Sequence, residues 1–179
     1  FKQKTAYEIP KRDWSSDVCS SDLQKIIIDG GQNRNFQAGQ PVIDALGLVG
    51  QISNVYPETS EVTLVIDKKM SVPIQIQRNG LRAITNGNGQ NETISLSYLP
   101  NSVDVIKGDI LKTSGIDSIY PEGIAVAEVI EIFNNPKLPF AKIICKPISA
   151  IRSHSHVLIV TPVNKIENNL IPAKNDQKK

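Results

Sequence analysis

The side chain with the strongest claim to act as a nucleophile is Ser114, in the stretch KTSGID. A serine hydroxyl reacts at neutral pH when a base takes its proton and an oxyanion hole receives the developing charge. The chain's two histidines, His154 and His156, lie together in RSHSHVL. No GxSxG motif surrounds Ser114, and Gly115 beside it is typical of an ordinary turn. The sequence therefore favours a turn, and a serine hydrolase that uses Ser114 with His154 or His156 is the alternative.

Metal and cofactor chemistry would need side chains that this sequence does not group together. The paired histidines have no neighbouring cluster of Asp, Glu or Cys to complete a metal site. The glycine-rich stretch 85–91 lacks the strand–loop–helix context of a phosphate-binding loop. Cys145 follows two isoleucines, which predicts a packed and unreactive strand residue. Aromatic residues, at 5%, are too sparse for a nucleic-acid stacking surface. We expect no cofactor, no metal ligands and no nucleic-acid partner.

Residues 13–23, DWSSDVCSSDL, differ in composition from the β-branched and glycine-punctuated sequence that follows them. Their serine pairs fit neither the alternation of a strand nor the apolar stripe of a helix. The stretch matches the in-frame translation of a sequencing-library adapter. We therefore interpret it as an artefact and exclude it from fold reasoning, the alternative being an unusual native loop. Residues 1–12 are an upstream remnant of uncertain origin. Removing 13–23 deletes three Asp and no Lys or Arg, so the formal charge rises from +2 to +5, still only mildly basic.

Short β-branched segments separated by Gly, Pro and Asn turns dominate the chain from Gln24 onward. In SVPIQIQR, Val72 alternates with Pro73 between two faces, and in ETISLSYL the pattern predicts Tyr98 on the inner face and Leu99 on the outer one. The segments with this signature are 25–29, 41–44, 47–56, 61–67, 71–77, 81–85, 92–99, 109–114, 124–133, 140–148 and 156–161. Many short strands at this spacing predict an all-β, mostly antiparallel fold.

An internal echo predicts two tandem β units. The stretch AGQPVIDALGLVGQISNVY shares its order of turns and strands with KGDILKTSGIDSIYPEGIAVAEV. We predict a first small barrel at 24–78, a second at 79–163 and a disordered tail at 164–179. The glycines expected at structural turns are Gly39, Gly47, Gly50, Gly108, Gly115 and Gly123. At least one of the pair Gly115 and Gly123 should adopt a positive φ, which glycine tolerates.

The glycine framework resembles a known family. The stretches KIIIDGG, SVPIQIQRNGLRAITNGNG and SHVLIV, together with the two echo segments, are similar in order to the periplasmic β domain of the bacterial rod shape-determining protein MreC. The most specific part is the block containing Gly108, Asp109, 113–115, Pro121 and Gly123. This resemblance implies two small β-barrels that follow a membrane helix and a coiled coil.

The same resemblance implies a function. Members of the family are non-enzymatic scaffolds of the cell-elongation machinery, which link the actin-like cytoskeleton to peptidoglycan synthesis. The implied partners are cytoskeletal and membrane proteins of the elongation complex, a penicillin-binding transpeptidase and further copies of the chain. The implied location is the periplasmic face of the inner membrane. The sequence has no run of 18 apolar residues, so the implied single-pass anchor is absent from this chain. A glycan- or ligand-binding barrel is a further alternative.

A scaffold without catalytic groups works through its surfaces, and one loop offers apolar side chains for this purpose. Ile119, Tyr120 and Pro121 lie between two predicted strands, where large apolar residues often anchor a partner. We name them as the candidate interaction loop. The alternative is that Tyr120 folds back over the end of a barrel, as amphipathic tyrosines commonly do.

Overall fold

The protein is described by a computed structural model that covers residues 7–8, 24–89, 92–134, 138–150 and 156–161. The strands are β1 (Tyr7–Glu8), β2 (Lys25–Asp29), β3 (Pro41–Ile43), β4 (Leu48–Val55), β5 (Thr59–Leu64), β6 (Ser71–Ile76), β7 (Arg82–Gly87), β8 (Ile94–Ser97), β9 (Ile110–Thr113), β10 (Ala125–Phe133), β11 (Lys142–Pro147) and β12 (His156–Ile159). Each segment predicted as a strand overlaps one of β2–β12. The described residues contain one short 3₁₀ turn, Gln32–Arg34, and no α-helix, which confirms the all-β prediction. None of their helical segments could cross a bilayer.

The strands form one closed barrel and one half-barrel sheet. The closed barrel has the order β10-β11-β8-β7-β6-β9, and all its neighbours are antiparallel. Alternate residues point inward, as in β6, where Val72, Ile74 and Ile76 are fully buried. Cys145 lies in the same core, where burial raises the pKa of its thiol to about 12, and this agrees with the predicted unreactive cysteine.

The half-barrel sheet has the order β1-β12-β3-β4-β5-β2. Its neighbouring strands are also antiparallel, and β2 pairs with β5 along its whole length, from Lys25 opposite Thr63 to Asp29 opposite Thr59. Its core includes Ile26, Ile28 and Val62, each 3% exposed or less. The repeated β-branched residues of these strands suit a pleated surface that is buried on one side.

The closed barrel is inserted within the half-barrel sheet, and this differs from the predicted tandem division. β6 lies before the predicted boundary at residues 78/79, but it pairs with β7 and β9 of the closed barrel. β12 lies far beyond that boundary, but it pairs with β3. The predicted ranges 24–78 and 79–163 are therefore wrong as complete units. Strand partners are chosen by long-range hydrogen bonding and burial, which the local pattern of residues does not encode.

The outgoing crossover between the two units is buried. Val65 and Ile66 follow β5 and are at most 1% exposed. Asp67 is also buried, and its carboxylate accepts hydrogen bonds from the backbone N–H of Gln24 and of Lys69, both at 2.8 Å. Because a buried carboxylate that loses its donors is strongly destabilising, these bonds hold the crossover in one position.

The return crossover is fixed by a second buried aspartate. Asp44 follows β3, and its carboxylate accepts the N–H groups of Leu46 and Gly47 at 2.7 Å. The same side chain accepts the N–H of Ala150, on the segment that leaves the closed barrel, at 3.0 Å. Each passage between the units is thus secured by an aspartate bonded to backbone.

The predicted turn glycines fall into two groups. Those with positive φ are Gly39, Gly108, Gly115 and Gly123, as expected for turns. Gly47 lies in the bend before β4, where an added Cβ would sit 2.4 Å from the carbonyl oxygen of Ala125 in β10. Gly50 lies inside β4, so its prediction as a turn is wrong. Glycine is needed there because a Cβ would approach the Thr63 oxygen of β5 to 2.1 Å.

The predictions for residues 13–23 and for the tail at 164–179 fall outside the described residues. The predicted upstream remnant, 1–12, is described only at β1.

Candidate interaction surface

Ser114 lies directly after β9 and is 5% exposed. Its backbone N–H donates to the carbonyl of Pro73 at 3.1 Å, while its buried Oγ makes no hydrogen bond within the described part of the chain. His156 is exposed at the start of β12, in the half-barrel sheet, and His154 lies outside the described residues. The structure therefore brings no described base to Ser114. Among the residues in the described ranges, no three His, Cys, Asp or Glu side chains group to hold a metal ion.

The candidate interaction loop folds back onto the closed barrel. Tyr120 is 3% exposed, and burial together with the nearby charge of Asp117 raises the pKa of its hydroxyl. The Asp117 carboxylate also accepts the N–H groups of Ile119 and Tyr120, at 3.0 and 3.1 Å. Thr113 donates its hydroxyl to the Pro121 carbonyl, which closes the loop over the barrel end.

Tyr120 is thus a core residue. Its burial agrees with the alternative of a tyrosine folded over the barrel end, and it leaves the Tyr120 side chain little surface with which to anchor a partner. Ile119 keeps 38% of its surface exposed and Pro121 is half-buried. A contact role for these two residues stays a prediction.

The strongest charge cluster is a structural clasp. Arg78, in the turn after β6, donates from Nε to Asp109 Oδ1 and from Nη1 to Asp104 Oδ2, both at 2.9 Å. The Asp109 side chain is only 3% exposed. The hydrogen bonds from Arg78 hold the pKa of Asp109 below its usual range, although burial opposes the shift. Because the carboxylates of Asp104 and Asp109 both accept hydrogen bonds from Arg78, the cluster joins the β6–β7 turn to the loop before β9.

Four exposed apolar side chains lie at or near the ends of β8, β10 and β11. We call Tyr98, Phe133, Leu138 and Phe140 the aromatic ledge. Their exposed fractions are 79%, 52%, 54% and 48%. The rings of Tyr98 and Phe140 meet edge to face, with centroids 5.9 Å apart and planes at 86°. Phe133 pairs with Lys142, which lies two residues beyond Phe140 along the chain.

Sequence reasoning missed the aromatic ledge because it placed Tyr98 on the inner face. The structure reverses the prediction for both residues, since Tyr98 is exposed and Leu99 is 7% exposed. A usable signal was present in the motifs YLP and LPF, which repeat an aromatic residue beside Leu-Pro. Proline tends to end a regular ladder, so alternation cannot be continued up to it.

Comparison with known proteins adds a family to this geometry. The family model described as "Rod shape-determining protein MreC, barrel core" matches residues 17–161. A cell shape-determining protein MreC from Haemophilus influenzae is 39% identical over 141 residues, which cover 79% of this chain and 40% of the relative. The MreC of Escherichia coli is 35% identical over 136 residues, which cover 76% of this chain and 37% of the relative. The chain thus spans about two fifths of the length of these relatives.

Solved structures agree with the fold. The crystal structure of MreC from Pseudomonas aeruginosa superimposes with a TM-score of 0.80 at 37% identity, covering 88% of this chain and 98% of that one. A complex between a penicillin-binding protein and MreC from Helicobacter pylori contains a chain that superimposes with a TM-score of 0.65. It covers 88% of this chain and 97% of that one, and its 16% identity supports a shared fold alone.

Proposed function

The chain belongs to the family of rod shape-determining proteins MreC, and from this premise we propose that it is a non-enzymatic scaffold of the bacterial cell-elongation machinery. In this role it maintains rod shape by linking the actin-like cytoskeleton to peptidoglycan synthesis in the periplasm. The observation on which this proposal rests is the match to cell shape-determining relatives across most of the chain. The aromatic ledge supports it, because a scaffold acts through exposed surfaces.

The proposed partners follow from the same family. The Helicobacter pylori complex pairs a member of this fold with a penicillin-binding protein, which supports a peptidoglycan transpeptidase as a partner of this chain. Cytoskeletal and membrane proteins of the elongation complex, and self-association, complete the proposal. The proposed location is the periplasmic face of the inner membrane, where a single-pass anchor outside this chain would hold the domain.

Domain replacement in cells tests the scaffold role. Residues 24–161 would replace the matching domain of the Escherichia coli relative, in cells depleted of their own protein. A second chimera with the Haemophilus influenzae domain, at comparable divergence, is the positive control. We expect both chimeras to restore rods. Spherical cells with this chain's domain, at normal chimera levels and with a working control, would overturn the proposal.

A Ser114→Ala version of the chimera separates the scaffold from the serine hydrolase. Since Ser114 Oγ makes no hydrogen bond within the described residues, removing it should leave folding and cell shape unchanged. Loss of rod shape together with stoichiometric fluorophosphonate labelling of Ser114 in the parent would favour the hydrolase instead.

A further inference from the structure

Three neighbouring strands of the closed barrel carry uncharged side chains on their outer surface. β6, β7 and β8 are adjacent and antiparallel, and their residues alternate between buried positions and exposed or half-buried ones. Across these strands Ser71 lies opposite Asn86, and Asn86 lies opposite Ser95. We call this outer group the amide face. Its members are Ser71, Ile84, Asn86, Asn88, Ser95 and Ser97.

Asn86 joins the three strands through its side-chain amide. Its Oδ1 accepts a hydrogen bond from the Ser71 hydroxyl of β6 at 2.7 Å, and its Nδ2 donates to the Ser97 hydroxyl of β8. Because an amide nitrogen has two N–H groups, one donor of Asn86 remains for a ligand. Asparagine is depleted in strands, where β-branched residues pack better. Its place within β7 therefore indicates a role for the amide itself.

Asn88 is held in the same way just beyond β7. Its Oδ1 accepts a hydrogen bond from the Ser95 hydroxyl at 3.1 Å, and its Nδ2 donates to the Thr93 hydroxyl at 3.0 Å. One N–H of this amide also remains for a ligand. Since neighbouring hydroxyls fix both amides in advance, a ligand that bonds to them loses little free energy to ordering the site.

An exposed apolar side chain lies beside the amides. Ile84 precedes Asn86 by two residues on the same face of β7, and it is 49% exposed. It lies opposite Ser97 on β8 and Pro73 on β6. An aliphatic surface next to fixed amide groups suits a sugar ring, because a pyranose has C–H groups on its faces and hydroxyls at its rim. Neighbouring strands lie about 4.8 Å apart, close to the length of one sugar in an extended β-1,4-linked chain.

The composition of the amide face argues against other classes of ligand. It contains no Lys or Arg, the residues that attract nucleic acids and anionic lipid surfaces. It also contains no Trp, Tyr or Arg, which usually anchor protein partners. Arg82, at the start of β7, adds one positive charge at the margin. A neutral, hydroxyl-rich polymer fits this surface best.

We propose that the amide face binds the glycan strand of peptidoglycan. This inference rests on the proposed function, in which the domain works beside the growing cell wall. One sugar ring packs on Ile84, and hydroxyl or acetamido groups of the adjoining sugars accept hydrogen bonds from the remaining N–H groups of Asn86 and Asn88. The scaffold then contacts the polymer as well as the enzymes that extend it.

Binding measurements on the purified full chain test this site with two probes. The first is a soluble oligomer of β-1,4-linked N-acetylglucosamine, which has the neutral backbone chemistry of the strand and is titrated by calorimetry. The second is purified peptidoglycan sacculi, with which the chain is sedimented. Since the sacculi also carry peptides, the oligomer separates recognition of the glycan from recognition of the peptides.

The variants change the amide face with little change to its internal bonds. Asn86→Asp and Asn88→Asp keep the bonds from neighbouring hydroxyls, which can donate to a carboxylate, but they remove the remaining N–H. Ile84→Ser removes the apolar platform, and it decides the test if an asparagine variant does not fold. Asn33→Asp is the matched control. It adds the same charge at an exposed turn of the other unit and keeps the bond from the Gly31 N–H.

We expect the parent to bind both probes, and its affinity for the oligomer should not change with salt, because no charges are paired. Asn86→Asp and Asn88→Asp should each weaken binding of the oligomer about 10-fold, the usual effect of losing one hydrogen bond and leaving its partner unsatisfied. Ile84→Ser should weaken it to a similar extent. The Tm of each variant should stay close to that of the parent, and Asn33→Asp should bind as the parent does.

Four outcomes overturn the inference. The first is a parent chain that fails to bind either probe. The second is binding of the oligomer that salt abolishes, which would indicate attraction by charge. The third is parent-like affinity in the variants of the amide face, and the fourth is lower Tm values with unchanged affinity, which would make the amides purely structural. With any of these, rods restored by the domain chimera would leave the scaffold role standing, so the two failures are distinguishable.

Discussion

Two tyrosines in loops of the closed barrel have opposite roles. Tyr120 and Tyr98 both neighbour proline-containing turns, and both have an apolar residue beside them. Tyr120 is 3% exposed and Tyr98 is 79% exposed. The difference comes from the backbone. The loop at Asp117 turns Tyr120 inward, whereas Tyr98 lies in a β-bulge, where the stretch from Leu96 to Pro100 opposes the shorter stretch from Ile143 to Phe140. Residue type alone could not separate a core tyrosine from a displayed one.

Replacing Tyr120 by alanine should destabilise the protein strongly. The change leaves a cavity under the loop, and truncation of buried aromatic residues typically lowers the free energy of unfolding by about 3–5 kcal/mol. Urea denaturation measures the effect, with Ile119→Ala, on the exposed side of the same loop, as the control expected to stay within about 1 kcal/mol. Equal effects of the two substitutions would show that Tyr120 does not carry the packing of this loop.

At the scale of elements, hydrogen-bonded turns and loops hold the strands of the closed barrel in register. The clasp of Arg78 with Asp104 and Asp109 joins two loops that are distant in sequence. Asp109 further accepts the N–H of Ile106 at 3.0 Å, which shapes the loop before β9. The clasp adds an ion pair, which requires the ionised Asp109 carboxylate, to the backbone pairing of β9 with β6.

The clasp predicts a specific dependence of stability on pH. The folded pKa of Asp109 lies below its unfolded value, mainly through Arg78. Asp109 therefore contributes stability above the unfolded pKa, about 3.9, and this contribution is lost as the pH falls through the folded pKa. Arg78→Gln should lower the free energy of unfolding at pH 7, and the difference from the parent should shrink below about pH 4.

Urea denaturation between pH 2 and 7 checks this expectation. Arg82→Gln is the control, because it removes the same charge from an exposed position on β7. A constant difference between parent and Arg78→Gln across the whole range would mean that the Arg78–Asp109 bond does not set the acid limit of stability.

The strands could be located from the sequence because their signals are local. β6 shows alternating burial from Val72 to Ile76, as its residues predict, and positive φ at Gly115 and Gly123 follows from turn chemistry. The partnership of β12 with β3 could not be predicted, because nothing local marks which edge a strand joins. The bulge at Tyr98 could not be predicted from the sequence either. One extra residue in a strand breaks the alternation of inward- and outward-facing residues on which the prediction depends.

The whole molecule consists of two units joined by two chain crossings. Asp67 secures the outgoing crossover and Asp44 the return. The bend at Gly47 touches β10 of the closed barrel, where a Cβ would lie 2.4 Å from the Ala125 oxygen. Two crossings and a close backbone contact leave little freedom for a hinge, so the units should unfold together.

Substituting Gly47 by alanine tests this coupling. The added methyl group must push the two units apart, and overpacking of this kind typically costs about 1–3 kcal/mol. We expect a lower Tm and a calorimetric transition that broadens or splits in two. Gly108→Ala is the control, since its Cβ would meet no atom within 4 Å and its φ of +91° strains only a local turn. A single sharp transition at the parent's Tm in Gly47→Ala would show that the contact does not couple the units.

The insertion of the closed barrel also determines the order in which the two units can complete their strand pairing during synthesis. All six strands of the closed barrel lie between Ser71 and Pro147, so this barrel can close as soon as its own stretch has been made. The half-barrel sheet must wait, because β3 receives its neighbour β12 only when His156 arrives. At the usual pace of synthesis the interval is roughly 10 s. During that interval the edge of β3 has unpaired backbone N–H and C=O groups that can pair with other strands. The half-barrel sheet, whose early strands wait for β12, is therefore the unit most exposed to mispairing during synthesis.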